Sequence, residues 1–122
     1  CGPLRLGAAL LPYLRDGWSF GQDIKSRTLA LAESVLSPAG IDASRCSLIA
    51  SDDFSFADLQ DHSIDVAFSN SLFSHLTINP ILRCLLRVGA ALKPDGVYYS
   101  TFFLVPSGSA WNQPVLRNQW GR

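Results

Sequence analysis

Ser63-Ile64-Asp65-Val66-Ala67-Phe68, followed at once by Ser69-Asn70-Ser71, is the stretch that decides the fold. A short run rich in β-branched and apolar residues that stops in polar residues reads as a strand with a polar exit. The next segment starts a helix at Asn79-Pro80, with Asn as cap and Pro at the first helical position, and Ile78, Ile81, Leu82, Leu85, Val88 and Leu92 recur at helical spacing. Lys93-Pro94-Asp95-Gly96 breaks that helix, and Val97 to Val105 is a continuous β-branched and aromatic run, the pattern of a strand buried on both faces. Strand, helix, strand in this order is a crossover unit, and crossover units build parallel sheets.

The same alternation extends toward the start of the chain. Leu6, Leu10, Tyr13 and Leu14 form a stripe in a helix over Leu4 to Arg15, bent near Pro12 and stopped at Asp16-Gly17. Trp18 to Ile24 reads as a short strand with a polar end at Gln22-Asp23. Leu29, Ala32, Val35 and Leu36 form a second stripe, closed by Ser37-Pro38-Ala39-Gly40, and Arg45 to Ala50 is a strand ending in Ser51-Asp52-Asp53. The expected fold is α/β, a Rossmann-like, mainly parallel sheet with helices on both faces. Ligands of such sheets bind outside the carboxyl ends of the strands. Here those ends carry Asp23, Asp53 and Ser69-Asn70, while Cys1-Gly2 leads straight into a helix.

Composition narrows the function classes. The 122 residues suffice for one domain, and ten Lys and Arg balance ten Asp and Glu, leaving no basic surplus to neutralise phosphates, so nucleic acid is not expected as a partner. No apolar run approaches the roughly 20 residues of a membrane-spanning helix, so no membrane association is expected. Cys1, Cys46 and Cys84 are odd in number and lack C-x-x-C spacing, which argues against a disulfide framework and a zinc site and favours a cytoplasmic location. Only 16% of residues are charged, below the roughly 25% of ordinary domains, as expected for a core without its whole surface.

The polar strand ends suggest a nucleoside. A glycine between strand and helix permits close backbone approach, an acid at the end of the following strand can accept from both ribose hydroxyls, and a further acid can accept from an exocyclic amine. Cys1-Gly2-Pro3-Leu4-Arg5-Leu6-Gly7, Phe20-Gly21-Gln22-Asp23-Ile24, Asp53-Phe54, Ser63 to Phe68 and Leu92-Lys93-Pro94-Asp95-Gly96 together resemble the ordered motifs of class I S-adenosylmethionine-dependent methyltransferases, across Cys1 to about Val105. The resemblance implies the cofactor S-adenosylmethionine, with Cys1, Gly2, Pro3 and Leu4 at its methionine end. It also implies Asp23 on the ribose hydroxyls, Ile24 against the adenine, Asp53 and Phe54 at the adenine edge, and Ser69 with Asn70 under the sulfonium and methyl.

Two departures accompany it. Leu4 stands where the family loop usually has a glycine, and the family's first strand would precede Cys1, so residues 1–122 are expected to be one domain core lacking that strand and the last strands after about residue 105.

Each assignment has a plainer alternative. Gly2 can be an ordinary turn glycine, Asp23 a helix-start charge, Asp53 or Asp52 a solvated turn residue, and Ser69-Asn70-Ser71 a polar strand exit. His75 is the histidine nearest the expected site, but a structural cap explains it equally, so no catalytic residue is assigned. Tyr98, Tyr99, Phe102 and Phe103 are expected in the core, as are Cys46 and Cys84, while Trp111 and Trp120 suggest a lid or a contact with further sequence. The expected function is methyl transfer to a small-molecule or protein acceptor; the alternative is an inactive nucleoside-binding or partner-docking module. A nicotinamide-dependent dehydrogenase is disfavoured because Pro3-Leu4-Arg5 lacks the spaced glycines a pyrophosphate needs.

Overall fold

The structure, a computed structural model, describes residues 1–14, 17–56 and 59–102. Its elements run α1 (Arg5–Leu10), β1 (Ser19–Asp23), α2 (Ser26–Ala30), α3 (Ala32–Leu36), β2 (Cys46–Ala50), β3 (Ile64–Ser69), α4 (Ile78–Ala91) and β4 (Leu92–Ser100). The fold is mixed α/β with parallel strands: β1 pairs with β2 from Ser19↔Cys46 to Asp23↔Ala50, and β3 pairs with β4 from Ile64↔Leu92 to Ser69↔Ser100. Among the described residues these are two separate two-stranded sheets rather than the single sheet expected.

β4 holds an irregularity that accounts for Lys93-Pro94-Asp95-Gly96. Ile64 pairs with Leu92 but Val66 with Val97, so β4 carries extra residues opposite Asp65, and they bulge from the ladder. Pro94 lacks a ladder donor, which suits it to such a bulge. A Cβ on Gly96 would lie 2.8 Å from the Ile64 carbonyl oxygen, so the chain turns back into the ladder only through a glycine.

The helix faces differ in part from the expected stripes. Around α1 the buried residues are Leu4 and Leu11, which flank it, 3% and 0% exposed, while Leu6, Leu10, Leu14 and above all Tyr13, 82% exposed, face outward. The set shifted by two residues, Leu4, Ala8 and Leu11, meets Ala32, Leu36, Cys46 and Leu48 and forms the core beside β2. Pro12 does not bend α1; it sits in the first turn of a separate 3-10 turn over Leu11–Tyr13, where its missing N–H has no partner to lose. The second stripe holds as expected, with Leu29, Ala32 and Leu36 buried, although the helix is divided at Leu31 into α2 and α3.

α4 begins two residues earlier than Asn79-Pro80 implies, with Thr77 as its cap residue, so Pro80 lies within the first turn, whose N–H groups need no intrahelical acceptor. Its buried face is Cys84, Val88 and Ala91, not the Ile78, Leu82, Leu85 row, which is exposed. β4 is likewise buried on one face only. Val66 and Val97, and Phe68 and Tyr99, are cross-strand partners on an uncovered face, with Val66 60% and Tyr99 56% exposed. Tyr99 and Phe102 are therefore not core residues. Cys84 is buried and Cys46 half-buried, and Phe103, Trp111 and Trp120 lie outside the described residues. No described helix is long and apolar enough to cross a membrane.

Candidate functional site at the strand ends

The glycine turn is held by Asp23. Its Oδ2 accepts the Gly2 N–H at 2.9 Å and lies 3.1 Å from the Cys1 nitrogen, and its Oδ1 accepts the Lys25 N–H at 3.0 Å. The Cys1 nitrogen also donates to the Gln22 carbonyl oxygen at 2.6 Å. Burial of the carboxylate pushes its pKa up, but the hydrogen bonds it accepts, from the amides of Lys25 and Gly2 first, outweigh it, so Asp23 titrates below the usual Asp value. Asp23 is thus both a clamp on the turn and a fixed charge at the end of β1.

The backbone of the turn is unusual at two positions. Gly2 has φ +60°, and a Cβ there would meet nothing within 4 Å, so open space lies over its backbone. Leu4 has φ 59° and ψ 28°, the left-handed conformation that glycine adopts without cost. A leucine held there carries roughly 1–2 kcal/mol of strain. The strain is offset by burial, since the Leu4 side chain turns into the core and away from the loop. Close approach is completed at Gly21 in β1, where a Cβ would lie 2.9 Å from Leu48, 3.0 Å from the Cys1 sulfur and 3.0 Å from Leu4.

The end of β2 is tied to the same edge. Ser51 N–H donates to the Asp23 carbonyl oxygen at 3.1 Å, continuing the ladder, and Ser51 Oγ donates to Asp53 Oδ1 at 2.6 Å. Asp53 Oδ1 also accepts the Ser55 N–H at 2.8 Å. The Ser51 hydroxyl and then the Ser55 groups stabilise the carboxylate, so Asp53 too titrates below the usual Asp value. Asp53 is exposed, and its Oδ2 accepts no hydrogen bond among the described residues. Phe54, half-buried at φ 57°, follows it, and Ile24 stands exposed beyond Asp23.

Ser69 and Asn70 close the other ladder. Ser69 Oγ contacts Tyr98 OH at 2.8 Å and Ser100 Oγ at 3.0 Å, and Asn70 Oδ1 accepts from Thr101 Oγ1 at 2.9 Å. Phe73 meets Tyr98 edge to face, centroids 6.5 Å apart, so it packs inside the fold. The His75 ring is exposed and makes no hydrogen bond among the described residues. The structure therefore brings Cys1, Gly2, Pro3, Leu4, Asp23 and Asp53 to one edge, while no hydrogen bond among the described residues joins them to Ser69 or Asn70. Two surface clefts, about 530 Å³ along α4 at Leu82 and Leu86 and about 390 Å³ between α2, α3 and β2, touch none of these residues.

Sequence reasoning missed Ser51, Tyr98, Ser100 and Thr101. The signal for the last two was present in Ser100-Thr101 at the end of an apolar run, in the same position as Ser69-Asn70. No protein family and no curated protein matches the chain.

Proposed function

We propose that the chain is a Rossmann-like S-adenosylmethionine-dependent methyltransferase core acting on a small-molecule or protein acceptor. The observation that carries the reading is the Asp23 clamp: a carboxylate at a parallel strand's carboxyl end, bonded to a glycine turn whose outer side is open. Acid and glycine loop so joined are what a nucleoside with a carbon-sulfur tail requires of the protein. The buried Leu4 side chain also supports it, because it leaves the loop backbone free for close approach. The division of the strands supports it as well, since one further parallel strand between β1 and β3 would join both ladders into a single sheet.

The residues fit the cofactor. A carboxylate has about four acceptor positions, and the Gly2 and Lys25 backbone amides take one on each oxygen of Asp23, leaving acceptor capacity on the carboxylate for ribose hydroxyls. Asp53 Oδ2 offers an acceptor for an exocyclic amine, and Gly2 admits the aliphatic tail. S-adenosylmethionine supplies an electrophilic methyl group on sulfur. Catalysis by this chain is then mainly positioning, since holding donor and acceptor in line lowers the entropic barrier without a general base. No base is assigned to His75.

Calorimetric titration of the protein with S-adenosylhomocysteine tests the reading, with NADH as comparison. Binding of the former alone is expected. Absence of heat up to roughly millimolar ligand, about −4 kcal/mol, refutes it; NADH binding instead returns the chain to the dehydrogenase class.

A further inference from the structure

The two strand-end edges differ in chemistry. The β1–β2 edge ends in the carboxylates of Asp23 and Asp53, whereas the β3–β4 edge ends, among the described residues, in Ser69, Asn70, Ser71, Ser100 and Thr101, all neutral. Hydrogen bonds there run in a fixed direction. Thr101 Oγ1 accepts the Ser71 N–H at 2.7 Å and has one proton, which it gives to Asn70 Oδ1 at 2.9 Å. That contact engages the Asn70 carbonyl and leaves its two N–H donors without a partner among the described residues.

The neighbouring side chains repeat the pattern on the other face of the ladder. Cys84 Sγ lies 3.8 Å from Tyr98 OH, Tyr98 OH 2.8 Å from Ser69 Oγ, and Ser69 Oγ 3.0 Å from Ser100 Oγ. A phenol is a better donor than an alcohol, and a thiol sulfur is the poorest acceptor of the set. Either hydroxyl of each pair can donate; in the arrangement in which Tyr98 donates to Ser69 and Ser69 to Ser100, the Ser100 proton is left at the strand end. Asn70 is exposed and Ser100 half-buried, so both donors are reachable. No cation stands with them among the edge residues, so a singly charged planar acceptor suits them better than a doubly charged phosphate. Exposed Phe102, next to Thr101, offers apolar surface beside them.

We propose that the β3–β4 edge anchors a carboxylate on an apolar, aromatic-sized body, through Asn70 Nδ2 and Ser100 Oγ, with Tyr98 as a positioning residue acting through Ser69. The proposal rests on the methyltransferase reading for its meaning: the carboxylate belongs to the methyl acceptor. The two charge-complementary edges then sort the ligands, with the hydroxyl and amine donors of the nucleoside on the acidic edge and the acceptor's oxygens on the donor edge.

The test uses benzoate, with benzylamine and benzyl alcohol as shape-matched controls, titrated into the ¹⁵N-labelled protein. Benzoate is expected to shift the Asn70 side-chain amide and the Ser71 and Thr101 backbone amides with a millimolar midpoint, and the two controls are not. Asn70→Asp keeps the Thr101 bond but replaces the donor by a charge, and is expected to weaken benzoate about tenfold or more. Tyr98→Phe is expected to lower the preference for benzoate over benzyl alcohol several-fold without abolishing the fold, a ratio that loss of packing alone leaves unchanged. Equal shifts from benzylamine, undiminished benzoate binding by Asn70→Asp, or no shifts up to about 50 mM, too weak to count as a site, overturn the proposal. Benzoate shifts without any S-adenosylhomocysteine heat overturn the transfer reading instead, leaving a carboxylate site.

Discussion

Replacing Asp23 by Asn changes one atom and removes the charge on which the strand-end edge depends. In the structure the carboxylate accepts two backbone N–H groups, from Gly2 at 2.9 Å and Lys25 at 3.0 Å. Hydrogen bonds to a charged group contribute about 1.5–3 kcal/mol each, and partial solvent access places these at the low end. The Asn side chain keeps one acceptor, which can serve Lys25, and sets an N–H₂ against the Gly2 N–H. The expected loss is therefore about 2 kcal/mol of stability, one charge-assisted bond and the mismatch that replaces it. Urea unfolding at neutral pH measures it, and S-adenosylhomocysteine affinity is expected to fall by about tenfold to a hundredfold, since each 1.4 kcal/mol is a factor of ten.

The pH dependence gives the same quantity independently. Because the folded pKa of Asp23 is depressed, its contribution is fully present above the unfolded Asp value of about 3.9 and is lost as pH falls through the folded value. The parent therefore loses more stability than Asp23→Asn between neutral and strongly acid pH, and the two curves converge. A variant as stable as the parent at neutral pH, or curves that stay parallel on acidification, would refute the clamp.

The turn supplies a second test. Leu4→Ala and Leu4→Gly both empty the core position and are expected to cost about 2–5 kcal/mol, but Gly relieves the left-handed strain and so ends more stable than Ala by about 0.5–1 kcal/mol; the reverse order in denaturant unfolding contradicts the φ of 59°. Gly21→Ala brings a Cβ to 2.9 Å from Leu48 and 3.0 Å from Leu4 and is expected to cost about 1–3 kcal/mol, with an unchanged midpoint as the contrary result. Thiol labelling is expected to reach exposed Cys1 first, half-buried Cys46 next and buried Cys84 only on unfolding, because burial also pushes the Cys46 and Cys84 thiols above their usual pKa. Rapid labelling of Cys84 in the native state would show that the α4 face is not packed on β4.

β1, β2 and β3 were legible because each apolar run is short and stops in polar residues, and they lie within one residue of the expected ranges at each end, whereas β4 runs Leu92–Ser100 against the expected Val97 to Val105, because Leu92 reads as the end of the helix stripe and Lys93-Pro94-Asp95-Gly96 as a breaker. Asp23 was legible because it is the one charge in the run Trp18 to Ile24 and ends the strand, whereas Asp53 shares its turn with Asp52 and is singled out by the resemblance. The helix faces were harder. α1 has leucines at 4, 6, 10, 11 and 14, so more than one stripe fits helical spacing, and only packing against Ala32 and Leu36 selects Leu4 and Leu11. α4 is ambiguous in the same way, and there Cys84 and Ala91, small residues that carry little hydrophobic weight, form the buried side because they permit close approach to β4.

Val97 to Val105 misled for a different cause. Periodicity cannot distinguish a strand covered on both faces from one whose second face is apolar yet exposed, and Val97 and Tyr99 are of the second kind. The hydroxyl chain through Tyr98 was hidden by that same run, since its polar atoms belong to residues that read as apolar or neutral.

The central claim is that the Asp23 edge and the glycine turn hold an adenosyl cofactor. Amide chemical-shift mapping with S-adenosylhomocysteine tests it most directly. The account predicts saturable shifts concentrated at Gly2, Asp23 to Lys25 and Ser51 to Phe54, suppressed in Asp23→Asn. Shifts confined to the α4 cleft, or none at millimolar ligand, would contradict it.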